Sequence, residues 1–227
     1  MKILVINPNT TSSMTTKIGA AARAVARPDT EIVAVNPQNG PTSIQGYLDV
    51  ATCVPGLLEE IKLHPDVDAI VIACFDDTGL DAVRTLVSVP VLGIGEAAYH
   101  AASMIATKFS VITTLSRSVP GLENNLLNYG LAQKCVRVRA TDIPVLKLEE
   151  GDPATLLKIS SEIREAIEKD NAEAIVLGCA GMADLMAQLS QEFGLPVIDG
   201  VSAGVTFAEA LVNNGMRTSK KGAYSNG

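Results

Sequence analysis

The chain has 227 residues, 47% of them hydrophobic and 19% charged, with a net charge of −7. That balance describes a globular chain with ample core, enough for one large domain or two small ones. It argues against a nucleic-acid or anionic-membrane role, because no basic cluster exceeds Lys220-Lys221, aromatics are 4% and Trp is absent. The opening Met1–Pro8 lacks the apolar length and cleavage site of a signal peptide. No run of about 18 apolar residues exists to cross a membrane, so a cytoplasmic location is expected. There the four cysteines stay reduced. None forms a C-x-x-C pair, and His64 and His100 are not at metal-ligand spacing to them, so no metal is expected.

Lys2 to Ile6 reads as a short apolar strand, and Asn7 to Ser13 as a polar turn whose Thr and Ser residues cap a helix to about Arg27. Glu31 to Val35 is a second strand. The polar segment Asn36 to Gly46 is long for a connecting loop, and loops of that length are often functional. A helix follows from Tyr47 to Leu63, with Cys53 as a small buried hydrophobe and His64 at a solvated end.

Asp68 to Cys74 is an unbroken apolar run ending in a cysteine, as a strand buried on both faces reads. A helix is expected from Thr78 to Leu86, then a short strand and turn at Val89 to Gly95. Gly93-Ile94-Gly95 is too short for a dinucleotide fingerprint. Glu96 to Thr107 reads as a helix in which His100 is structural. Lys108 to Ile112 is a strand ending in Thr113-Thr114, followed by a helix from Val119 to Tyr129. The strand Lys134 to Ala140 makes Cys135 structural. Asp152-Pro153 opens a helix to Asp170, with Asp as N-cap and Pro in the first turn.

A second apolar run then ends at Cys179, and a helix is expected from Met182 to Phe193. Leu195 to Ile198 is the last strand. Ser202 is expected to cap a final helix that stops near Asn214-Gly215. The polar tail from Met216 is expected to be mobile.

The two cysteine runs superpose without a gap. Asp68-Ala69-Ile70-Val71-Ile72-Ala73-Cys74 matches Glu173-Ala174-Ile175-Val176-Leu177-Gly178-Cys179. The repeat extends to Lys2–Pro8 against Lys108–Thr114 and to Val89–Gly93 against Leu195–Asp199. Three strands in register at a nearly constant offset predict an α/β fold of two similar Rossmann-like halves with parallel sheets, related by a pseudo-twofold. The expected domains are 1–95 plus 205–227, with the last helix packing back on the first half, and 96–204.

Ligands of open α/β sheets bind at the carboxyl ends of the strands. Two thiols at equivalent ends of the two halves therefore suggest one site between them, with a sulfur on each side. Such a pair removes a proton from one face of a carbon and returns it on the other, which is racemisation without a cofactor. Each thiol alternates between charge states, so the two titrations should be split and coupled. The strand-to-helix loops are expected to lower a thiol pKa and to stabilise an oxyanion. Gly178 and Gly181 would let the backbone approach a ligand closely. Inert buried cysteines are the alternative reading for either residue alone, but the matched pair favours chemistry.

At these residues the sequence resembles the aspartate/glutamate/hydantoin racemase superfamily, in its hydantoin and allantoin racemase branch. The motifs are Val5-Ile6-Asn7-Pro8-Asn9-Thr10, Ala73-Cys74-Phe75-Asp76-Asp77-Thr78-Gly79-Leu80, Val111-Ile112-Thr113-Thr114, Gly178-Cys179-Ala180-Gly181-Met182 and Ile198-Asp199-Gly200-Val201. The likeness implies two α/β domains with a cleft site and Cys74 and Cys179 as the acid/base pair. It implies that Asn9, Ile44, Phe75, Asp76, Thr113, Thr114, Gly178, Ala180 and Gly181 hold a hydantoin-type ring. It implies no cofactor, a small-molecule substrate and a homo-oligomer. Thr78 stands where many relatives are expected to have Pro.

Other readings on the same fold are an amino-acid racemase, a maleate-type isomerase and an arylmalonate-type decarboxylase, the last expected to keep only the second cysteine. A two-lobed binding protein explains the cleft but not the thiols.

Overall fold

The computed structural model describes residues 1–225. The first half contains β1 (Lys2–Ile6), α1 (Ser12–Val25), β2 (Glu31–Val35), α2 (Tyr47–Lys62), β3 (Ala69–Ile72), α3 (Leu80–Leu86) and β4 (Val91–Gly93). The second contains β5 (Phe109–Thr113), α5 (Val119–Asn128), β6 (Cys135–Ala140), α6 (Pro153–Asp170), β7 (Ala174–Gly178), α7 (Met186–Phe193) and β8 (Val197–Asp199). Two further helices, α4 (Ile94–Ile105) and α8 (Gly200–Asn213), follow the last strand of each half. Both sheets are four-stranded and parallel, with the equivalent orders β2-β1-β3-β4 and β6-β5-β7-β8. The repeat read from sequence is thus a repeat of topology and register: Ile3 pairs with Ala69 as Phe109 pairs with Ala174.

Every residue of β3 and of β7 is buried. These strands lie inside their sheets with helices on both faces, so their apolar runs need no alternation. Each fully buried Ile, such as Ile70 or Ile175, contributes roughly 1.5–3 kcal/mol by leaving water. Two cores serve the outer faces, one built on Leu4, Ile70 and Leu57 and the other on Ile112, Ile175 and Ile163. A third is continuous across both halves and contains Val71, Val176, Tyr99 and Val205. It exists because α4 leaves the first sheet and packs on β7, whereas α8 leaves the second and packs on β3. The two helices also pack on each other.

Several local expectations change. The final helix starts at Gly200 and its cap is Asp199, which accepts from the amides of Val201 and Ser202; the Ser202 hydroxyl itself donates to Asp199. A carboxylate three residues earlier, at the helix start, is better placed than the Ser202 hydroxyl to accept from those amides. No hydroxyl caps α1 either; the Asn9 side chain accepts from the Thr11 amide at 2.9 Å instead. After β3 the chain makes a turn with Asp77 and Gly79 in the left-handed region, so α3 begins only at Leu80. Residues Ala180–Leu185 form a 3-10 segment before α7.

Over residues 216–225 the tail is docked rather than mobile; its last two residues lie outside the described residues. Thr218 bonds the carbonyls of Ser88 and Val89. The Lys220 ammonium reaches the carbonyls of Arg84 and Thr85 at 2.7 and 2.8 Å, and Tyr224 donates to Asp81. Among the described residues, no helix is long and apolar enough to cross a membrane.

Candidate active site

The carboxyl ends of β1, β3, β5 and β7 converge on a small cavity between the halves. Cys74 and Cys179 both line it, as do Asn9, Ile44, Phe75, Asp76, Thr113, Thr114, Gly178 and Ala180. Gly181 is behind the wall: a Cβ there would lie 3.0 Å from Leu148 Cδ1 and 3.7 Å from Cys179 Sγ. Gly178 lines the cavity and its bareness has a second effect as well. A Cβ would sit 3.0 Å from Thr113 Cβ, so its bareness lets β5 and β7 come together.

Cys74 and Cys179 are half-buried free thiols. Cys53 is fully buried on α2 and Cys135 begins β6, away from the cavity, as structural positions. Thr78 Oγ1 approaches Cys74 Sγ at 3.7 Å, and that sulfur lies 3.8 Å from Asp76 Oδ2. Burial pushes the Cys74 thiol well up, and the Asp76 charge adds to it. Burial pushes Cys179 up to about 11, against the Gly181 amide that favours its thiolate. The expectation that loop amides and helix termini lower the thiol pKa is therefore reversed, because desolvation of the thiolate outweighs them. Asp76 is itself pushed up to about 6 by burial.

Asn9 is held by its neighbour. Asn7 is buried and donates from Nδ2 to Asn9 Oδ1 at 2.9 Å and to Thr15 Oγ1 at 3.0 Å. With its oxygen accepting from Asn7 and Thr11, Asn9 turns its Nδ2 donors toward Met14 and the cavity. Ile44 reaches the cavity because the long loop is tied to the opposite turn: the Thr10 amide donates to Pro41 and the Thr11 hydroxyl to Thr42. The Thr113 hydroxyl donates to the Gly178 carbonyl at 3.1 Å, joining the strand ends that frame the site.

Sequence reasoning missed Asn7, Met14, Ala73, Ser118 and Val145, which complete the lining. Asn7 and Ala73 sit inside quoted motifs; Ser118 and Val145 lie on 3-10 segments that carry no periodic signal. It also missed the part played by Asp77. This buried residue has φ of 52°. Its carboxylate accepts from the amides of Gly95 and Glu96 and from the Tyr129 hydroxyl, all within 2.8 Å. It thereby ties the Cys74 loop to the start of α4 and to the end of α5.

The profile of the Asp/Glu/Hydantoin racemase family matches residues 3–208. The chain belongs to this family. A hydantoin racemase of Pseudomonas sp. (strain NS671) is 49% identical over 226 residues, 99% of this chain and 91% of the relative. The solved allantoin racemase from Klebsiella pneumoniae has 49% identity and a TM-score of 0.98, covering 100% of this chain and 94% of that one. Allantoin racemase from Pseudomonas fluorescens has 42% identity and a TM-score of 0.96, over 100% and 97%. The two-halved architecture described above is thus the family fold.

Proposed function

We propose that the chain racemises 5-substituted hydantoins, allantoin among them, with Cys74 and Cys179 as the acid and base on opposite faces of C5. The observation that carries this reading is that two thiols from equivalent strand ends line one cavity, in a chain whose relatives are named for that reaction. One cysteine enters the cycle as thiolate and the other as thiol. The thiolate takes the C5 proton, the electron pair moves to the adjacent carbonyl oxygen, and the thiol delivers its proton to the opposite face. The cysteines exchange charge states and no atom is gained or lost. The Nδ2 donors of Asn9, set by Asn7, are aimed to bond a ring carbonyl as its negative charge develops. Substrate enters between domains 1–95 with 205–227 and 96–204. The chain works in the cytoplasm, where the thiols stay reduced, and as a homo-oligomer.

The test uses Cys74→Ser and Cys179→Ser with separated enantiomers of one hydantoin in deuterated buffer, followed by proton NMR. Serine is a much weaker acid and base near neutral pH, so both variants should lose racemisation by at least about a thousandfold. Each should still exchange C5–H of one enantiomer, and the two should choose opposite ones. Exchange of the same enantiomer by both variants, or racemisation at full rate by either, would overturn the assignment.

A further inference from the structure

We infer that a second compartment, opening from the catalytic cavity past Asp76 and Ser118, receives a urea-type 5-substituent; this rests on the hydantoin reading above. The space measures about 160 Å³ and shares Asp76 and Ser118 with the catalytic cavity. It lies across the seam of the halves, between the start of α2 at Gly46 and Tyr47 and the start of α5 at Arg117, Gly121 and Asn124. Two missing side chains keep it open. A Cβ at Gly121 would lie 3.8 Å from Asp76 Oδ1 and 3.9 Å from the Tyr47 ring, and a Cβ at Gly46 would lie 3.9 Å from Arg117 Cδ.

Asp76 faces both spaces. Its Oδ2 is the atom beside Cys74, and its Oδ1 is the atom nearest Gly121. A ring held between the cysteines therefore directs a C5 substituent past this carboxylate. What the substituent meets is of mixed polarity. Asp76 Oδ1 and Ser118 accept, whereas the Arg117 guanidinium donates and the Asn124 carboxamide does both. Asn125 is already engaged, donating from Nδ2 to the Asp76 carbonyl at 3.0 Å, and so fixes that turn of chain. The carboxylate-paired arginines among the described residues are Arg27, Arg84, Arg137 and Arg139. Arg117 is not one of them and is exposed to the compartment.

A ureido group has a carbonyl acceptor and N–H donors in one plane, with the Tyr47 ring beside it. It matches both halves of this lining. A carboxylate-ended substituent gains Arg117 but meets the Asp76 charge. An alkyl group gains contact with Tyr47 and Val50 and leaves the polar groups without partners.

The experiment compares kcat/KM for loss of optical rotation of allantoin, 5-methylhydantoin, 5-butylhydantoin and hydantoin-5-acetic acid. It uses the full chain and the variants Gly121→Leu, which plugs the gap, and Arg117→Ala. The wild-type chain should prefer allantoin over 5-butylhydantoin and hydantoin-5-acetic acid by about tenfold or more. The ratio of allantoin to 5-methylhydantoin should fall about tenfold in Gly121→Leu and severalfold in Arg117→Ala. A ratio within twofold of wild type in both variants, or a wild-type preference for the butyl or carboxylate substrate, overturns the compartment while leaving the racemase reading intact. A wild-type chain that racemises none of the four overturns both.

Discussion

At the scale of single residues, the site holds two thiols in surroundings that disfavour their ionised forms. Burial raises both Cys74 and Cys179, and Asp76 adds to each because it is an acid pushed to about 6 and hence charged at neutral pH. A raised thiol pKa makes the thiolate scarce until the pH climbs, so reactivity rises about tenfold per pH unit with no plateau where an ordinary thiol, near 8.5, levels off. The rate of inactivation by iodoacetamide between pH 7 and 10 measures this, with mass spectrometry to assign the alkylated cysteine. Asp76→Asn removes the nearest negative charge, so alkylation of Cys74 at pH 8 should accelerate severalfold; a slower rate would contradict the electrostatic role given to Asp76. Both cysteines were legible in the sequence, since each closes an apolar run at matched positions. Their charge states were not. A sequence shows helix starts and glycines that favour a thiolate, but not how completely neighbouring chain removes water from the sulfur.

At the scale of elements, the strands were legible because an apolar run between turn residues leaves few other conformations. The helix starts were less so, because the group that caps a helix need not be the Ser or Thr nearest in sequence. Asp199 displaced Ser202, and Asn9 displaced the hydroxyls before α1. The 3-10 segment Ala180–Leu185 has the composition of the helix expected there, and Leu148 packs close against its Gly181. The tail looked mobile because it is polar. Its polar atoms are what dock it, with Lys220 on the last carbonyls of α3, where a cation suits the helix C-terminus. Deleting residues 216–227 should therefore lower the free energy of unfolding by about 2–4 kcal/mol, from several hydrogen bonds worth ~1 kcal/mol each. Urea denaturation followed by circular dichroism tests it, and an unchanged midpoint would mean the tail contributes nothing.

At the scale of the whole molecule, the halves exchange helices: α4 packs on β7 and α8 on β3, around one shared core. The repeat offset disclosed the two sheets, but not this exchange, because the direction in which a helix leaves a sheet has no signature in its own residues. The crossing is close. A Cβ at Gly200 would sit 2.5 Å from the Ile94 carbonyl oxygen, and one at Gly204 would sit 3.0 Å from Val71 Cγ1. Gly200→Ala sets a methyl against backbone that has nowhere to yield. It should cost about 1–3 kcal/mol of stability and lower activity as well, because the same crossing sets the spacing of the two strand ends that carry the cysteines. Thermal unfolding and racemisation rates measured on one preparation would separate a stability loss alone from the joint loss expected.

The two halves do not start their exchanged helices in the same way. Asp199, at the end of β8, holds the first amides of its own helix, α8. The equivalent position in the first half is Gly93, where a side chain would collide with Asp77. Asp77 comes from the Cys74 loop and holds the first amides of α4 in its place. Moving the Cys74 loop thus uncaps a central helix, whereas the Cys179 loop starts only the short 3-10 segment that follows it. The two cysteine loops are therefore supported unequally: the Cys74 loop also holds the start of α4, whereas the loop after Cys179 leans on Leu148 and the 145–150 segment.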